Sequence, residues 1–246
     1  MHLFRFFTAC TLGASLAIAG ATEPAASAPR TRIVTPELTA RWWQWAMYLP
    51  RDSNPVADTT GAFCAMGQRG DVWFLAGGFG SSKVRRTCAV PAGSSVVFPL
   101  INMVYWPSAD GVDRFTCAQA RDAAKLNNDT AIDLFAELDG RPLPRTSRQR
   151  VATVDCFDVF ERMPAARKPY KAWPAATDGY WVWLDPLPPG RHVLTFGGRY
   201  NRSSGQEGRM VQDIAYELIV EWAAWACTKR SRSKGSGDVD MRILLR

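Results

Sequence analysis

The sequence predicts a mainly β protein, an antiparallel β-sandwich with an N-terminal helix and one further short helix. Three observations carry that prediction. Strand-like runs recur between Pro/Gly turns, as in sandwich folds. The stretch Asp213 to Trp222 alternates apolar and acidic or small residues at a period of two. Only two short segments have helical character.

Taken in order, Arg5 precedes the apolar stretch Phe6 to Ala19, and Ala17-Ile18-Ala19 and Ala19-Gly20-Ala21 both fit an A-x-A cleavage site. Residues 1–21 therefore read as a secretory signal peptide, which leaves no transmembrane segment after cleavage. Residues 22–35, rich in Ala and Pro, read as a linker to a single domain over 36–227. The first helix is predicted from Pro36 to about Tyr48. Thr35 suits the N-cap, Pro36 the first helical position and Glu37 the dipole. Leu38, Trp42, Trp45 and Leu49 make its apolar stripe, and Pro50 ends it.

Val72 to Phe79 reads as a strand closing on Gly77, Gly78 and Gly80, and Lys83 to Val90 as the next, before a Pro91-Ala92-Gly93 turn. Val96 to Ile101 reads as a buried strand that Pro99 places at a sheet edge or a break. Thr116 caps an alanine-rich helix through about Leu126. Ile132, Leu134, Ala136 and Leu138 then alternate with Asp133, Phe135 and Glu137 up to the hairpin pair Asp139-Gly140. Tyr180 to Leu184 and Arg191 to Phe196 are strands joined by a turn over Pro186 to Gly190, and Asp213 to Trp222 is the last strand.

The chain has 246 residues, 47% hydrophobic and 22% charged, which excludes wholesale disorder and a fibrous protein. Beyond the leader the only histidine is His192, so no multi-histidine metal site can form, and no metal or cofactor is expected. The net charge of +7 is concentrated at the ends. The leader carries +1 and the Ser/Gly-rich tail over 228–246 carries +4, leaving +2 for the body. That tail reads as a solvated basic extension or one loosely attracted to anionic lipid or polymer. No nucleic-acid module is visible, so no nucleic-acid partner is expected.

Five cysteines follow the leader, none in a C-x-x-C pair. In an exported protein disulfides are the default. Sequential pairing, Cys64 with Cys88 and Cys117 with Cys156, comes first among three possible connectivities. Cys227 is left free or pairs between chains.

Two blocks carry a resemblance. The first runs through Trp42-Trp43-Gln44-Trp45, Asn54-Pro55, Asp58-Thr59-Thr60-Gly61, Cys64, Gly67-Gln68 and Val72-Trp73-Phe74-Leu75-Ala76-Gly77. It continues through Arg86, Cys88, Pro91-Ala92-Gly93, Phe98-Pro99 and Ile101-Asn102. The second is Asp178-Gly179-Tyr180-Trp181, Pro186-Leu187-Pro188-Pro189-Gly190, His192 and Phe196-Gly197-Gly198. Together they resemble a family of uncharacterised secreted bacterial proteins. The resemblance implies export and a shared fold and carries over no catalytic residue. The second block also resembles the last strands of immunoglobulin-like sandwiches, with a jelly-roll-like arrangement as the neighbouring possibility.

No nucleophile elbow, P-loop, dinucleotide fingerprint or H-E-x-x-H motif is present. His192 shares a strand face with Leu194 and Phe196, which suits a structural histidine. Glycan cleavage needs only two carboxylates, and Asp58 and Asp178, each read as lying in a polar turn with a glycine nearby where a side chain can face a cleft, are the candidates. Asp213 and Glu217 share a strand face about 13 Å apart, as a solvated pair would. Ten tryptophans are the remaining signal. Trp181 and Trp183 point to one side of their strand, about 6.8 Å apart, either as stacking platforms for sugars or beneath the N-terminal helix. With Asp58, Gln68, Asn102 and Asp178 they form the candidate ligand-binding set. Three functions fit: a secreted or envelope glycan-binding protein, a two-carboxylate glycan-cleaving enzyme, and a structural or adhesive envelope protein.

Overall fold

The computed structural model describes residues 32–112, 114–205 and 207–222. The predicted signal peptide, most of the predicted linker, Cys227 and the basic tail lie outside the described residues. The protein is mainly β, with two mixed sheets and two helices. In chain order the elements are α1 (Pro36–Ala46), β1 (Val72–Phe74), β2 (Ser82–Pro91), β3 (Ser95–Tyr105), α2 (Cys117–Asn128), β4 (Ala131–Leu138), β5 (Arg141–Pro142), β6 (Arg150–Ala152), β7 (Ala176–Leu184), β8 (Gly190–Tyr200) and β9 (Val211–Glu221). One sheet has the order β1-β3-β7-β6, the other β2-β9-β8-β4-β5. Most neighbours are antiparallel, but β1–β3 and β2–β9 are parallel. An all-antiparallel arrangement is therefore corrected at these two pairs. The second joins segments about 130 residues apart, a pairing that no local pattern encodes.

The period-two patterns place the core. Phe98, Val182 and Leu184 of one sheet meet Leu194, Phe196, Ile214 and Leu218 of the other in a shared buried cluster. The Phe98 and Phe196 ring centroids are 4.4 Å apart. Ile214, Tyr216, Leu218 and Val220 are buried as the alternation in β9 requires, whereas Trp222, past the end of the strand, is 74% exposed. The Pro186 to Gly190 turn joins no hairpin, because β7 and β8 belong to different sheets. Its prolines carry the chain across the core.

Local signals hold closely. Thr35 accepts from the Leu38 amide at 3.3 Å, and Thr116 with Gln119 completes a capping box on α2. Asp139 and Gly140 both have positive φ, 52° and 74°, as a type I′ hairpin turn demands. Pro99 does not mark an edge, since β3 lies between β1 and β7. It marks a break: the β3–β7 register shifts between Pro99 and Ile101, where proline lacks an N–H for the ladder. β1 stops at Phe74, well short of Phe79, because the Gly77 to Gly80 segment turns away toward Gln212. The Gly78 amide donates to Gln212 Oε1 at 2.7 Å.

Helix α1 packs on the outer face of the first sheet. Trp42 Nε1 donates to the Leu75 carbonyl at 2.9 Å, Trp43 Nε1 to Thr177 Oγ1 at 2.8 Å and Trp45 Nε1 to the Met66 carbonyl at 2.9 Å. The predicted stripe is thus too narrow. Trp43 is buried as well, held to β7 through Thr177, and so is Gln44, because the 158–172 loop covers its side of the helix and accepts its amide at the Asp158 carbonyl, 3.1 Å away. Disulfides join Cys64 to Cys88 and Cys117 to Cys156, the sequential pairing. Among the described residues no helix is long and apolar enough to cross a membrane.

Candidate functional site

The residues singled out by sequence do not gather in one place. Asp58 caps its own turn. Its Oδ1 accepts from the Thr60 amide and hydroxyl, both at 2.8 Å, and its Oδ2 from the Phe63 amide at 2.9 Å. Partial burial works to raise this carboxyl, but the donors from Phe63, Thr60 and Gly61 outweigh it and hold the group below its ordinary value. Its stabilisation is then complete above about pH 4 and is lost as pH falls through the lowered folded value. Asp58→Asn is expected to lower the urea midpoint at neutral pH and to flatten the acid limb of the stability curve. Equal slopes below about pH 4 in both proteins would contradict this.

Asp178 lies within β7, not in a turn, and is buried. Arg150 grips it with Nε to Oδ1 at 2.9 Å and Nη2 to Oδ2 at 2.8 Å, while Arg150 Nη1 reaches Asp129 at 2.8 Å. Burial pushes the Asp178 carboxyl up, Arg150 opposes that, and Asp129 adds to it. Asn102 pairs with Gly179 and Met103 with Asp178 across β3 and β7. Strand alternation therefore sends Asn102 and Asp178 to opposite faces of the sheet. The two-carboxylate site built on Asp58 and Asp178 is not assembled.

Gln68 is a brace. Its amide donates to the Cys64 and Phe74 carbonyls and accepts from the Phe74 amide, all within 3.0 Å. His192 spends both ring nitrogens on structure, on Asp139 Oδ2 at 2.8 Å and the Pro188 carbonyl at 3.0 Å. Trp181 is fully buried against Trp42, ring centroids 5.6 Å apart. It is a core residue beneath α1, and its use as a stacking platform is corrected. Trp183 is partly exposed, with the Arg32 guanidinium 6.0 Å from its ring centroid.

A groove does form between α1, the Gly77 to Gly80 segment and β3. Its outer bowl, about 500 Å³, is walled by the 51–59 and 78–86 segments and includes Asp58. It shares Val56, Gly78 and Phe79 with an inner part of about 160 Å³, lined by Trp43, Met47, Asn102, Trp106 and Glu207. Phe79 is 43% exposed at the junction. The Trp106 ring is positioned by its Nε1, which donates to Tyr170 Oη at 2.9 Å. The Asn102 Nδ2 atom has no acceptor among the described residues.

One buried cation holds the walls. Arg86 Nε donates to the Asp58 carbonyl at 2.7 Å, Nη1 to those of Ala76 and Gly77 at 2.8 and 2.9 Å, and Nη2 to that of Val56 at 3.2 Å. Nη1 also reaches Tyr216 Oη at 3.0 Å. Among the described residues Arg86 has no carboxylate partner. Its signal was present in the sequence. Val84, Arg86, Cys88 and Val90 run at period two, so an arginine occupies an inward position of an otherwise apolar strand face. Trp106 and Glu207 had no such signal, since both lie outside a strand pattern, and Phe79 was read as the end of a strand that stops at Phe74.

Compared with family models, curated proteins and solved structures, the chain gives no match.

Proposed function

We propose that the protein is an exported, non-catalytic glycan-binding protein of the immunoglobulin-like or jelly-roll-like sandwich kind, its ligand seated in the groove beside α1. The observation that carries this reading is the composition of the groove. The rings of Phe79 and Trp106, the Asn102 amide and the Glu207 carboxylate line one continuous depression. Aromatic faces cover the apolar faces of sugar rings, and amides and carboxylates bond the hydroxyls between them. A largely apolar cleft with a few polar groups is the usual form of a ligand site. Binding is favoured over cleavage because Asp178 is locked to Arg150 on the other face of the sheet.

Calorimetric titration against a panel of soluble neutral polysaccharides tests the reading. Trp106→Ala is expected to weaken binding by roughly 1–3 kcal/mol, the range seen when a base loses its aromatic platform. Asn102→Ala should weaken it less, by the worth of about one hydrogen bond. The proposal fails if no polysaccharide binds, or if both variants bind as the parent does.

A further inference from the structure

A group of guanidiniums lies on the side of α1 turned away from the groove. Arg41, Gln44, Trp45 and Tyr48 follow one another at helical spacing, opposite Trp43 and Met47, which line the groove. The loop before β1 brings Arg69 to this side, and the segment after Phe160 brings Arg162 and Arg167. Arg41, Arg69 and Arg162 line one narrow cleft beside Tyr48, with room of about 20 Å³. The Arg69 and Arg167 Cζ atoms stand 5.6 and 5.3 Å from the centroid of the Tyr48 ring, within cation–π range.

Among the described residues none of these four arginines pairs with a carboxylate. The nearby Glu161 accepts instead from Gln44 Nε2 at 3.1 Å. Arg162 is partly buried, and that burial, with Arg41 and Arg69 close by, disfavours its charge while Glu161 only partly offsets them. Isolated surface arginines would spread into water. Here one ring holds two of them, and a third is half-buried at the same cleft. An anion would relieve their mutual repulsion.

The shape of the cleft selects the kind of anion. A space of about one water-sized sphere admits one oxygen of a group seated at the mouth of the cleft, not a sugar ring. Guanidinium forks match the oxygens of phosphate and carboxylate in bidentate fashion. Three forks are better satisfied by a group with three terminal oxygens and nearly two negative charges than by a carboxylate. We propose that the cleft between Arg41, Arg69 and Arg162, with Arg167 at its rim, binds a phosphomonoester group. The site is separate from the groove and stands or falls without it.

Calorimetric titration of the full chain at constant ionic strength tests this with inorganic phosphate, glucose 6-phosphate and phosphatidylcholine vesicles containing phosphatidic acid. Saturable binding of any of the three, absent with acetate and with plain phosphatidylcholine vesicles, is the expected result. The strongest of them identifies the source as free phosphate, a phosphorylated sugar or a lipid headgroup. Arg162→Gln should weaken that binding by about tenfold or more, the loss of a charge-assisted hydrogen bond. Arg69→Gln, at an exposed position, should do the same and leave neutral polysaccharide binding unchanged. The proposal is overturned if all three probes behave like acetate and plain vesicles, or if the Arg69→Gln protein binds them as the parent does.

Discussion

In reducing buffer the protein is expected to lose about half or more of its stability. The Cys64–Cys88 bond spans 24 positions of sequence and the Cys117–Cys156 bond 39. On the loop-entropy estimate each contributes about 3–4 kcal/mol by restricting the unfolded chain. Their sum, about 7 kcal/mol, lies within the whole stability of an ordinary domain, about 5–15 kcal/mol. The first bond ties the loop before β1 to β2, and the second ties the start of α2 to the segment after β6. Each thus fastens a region of irregular backbone to a regular element. Urea unfolding with and without a phosphine reductant measures the total, and paired Cys→Ala variants measure each bond. A midpoint that moves by less than the equivalent of about 1 kcal/mol on full reduction would show that the packed sheets alone suffice.

Arg86→Met is expected to cost about 3–5 kcal/mol. The methionine fills much of the volume but leaves the carbonyls of Val56, Asp58 and Gly77 without their shared donor, while the Ala76 carbonyl still accepts from the Tyr216 hydroxyl. Each buried acceptor left unpaired costs about 1–3 kcal/mol, reduced where water from the groove can reach it. Arg86→Lys should recover only part of the loss, because an ammonium cannot present a planar fork to three segments at once. Hydrogen exchange should localise the damage to the 56–63 and 76–80 segments, which wall the groove. If Arg86→Met unfolds at the same urea concentration as the parent, the guanidinium is not what holds those loops.

Much of the fold was legible because the forces that make it are local. Thr35 and Thr116 cap helices through amides three residues away. Asp139-Gly140 turns a hairpin through its own backbone angles. The alternation in β9 buries Ile214, Tyr216 and Leu218 because a pleated strand has two faces and only one can meet a core. The cysteine pairing is the first of the three connectivities that the sequence left open, and the fold makes the choice across spans of 24 and 39 positions. Arg86 could have been found locally, as the charged residue in an inward register of β2.

The candidate site was less legible, because exposure is decided between segments that are distant in sequence. The period of β7 puts Trp181 and Trp183 on one face, but whether that face meets water depends on α1, some 140 residues earlier. α1 covers Trp181 and leaves Trp183 partly open. Asp178 has the composition of a turn carboxylate, yet it sits mid-strand beneath Arg150, whose fork neutralises a charge that burial would otherwise expel. Pro99 could mark an edge or a break from its own chemistry. Only the partner strands on both sides made it a break. The sequence by itself therefore determined the mainly β class, the helix starts, the turns and the inward residues, all set by backbone chemistry within a few residues. The tertiary structure alone decided the parallel pairings, the burial of Trp181, the grip of Arg150 on Asp178 and the placing of the groove, because desolvation and charge pairing depend on which surfaces meet.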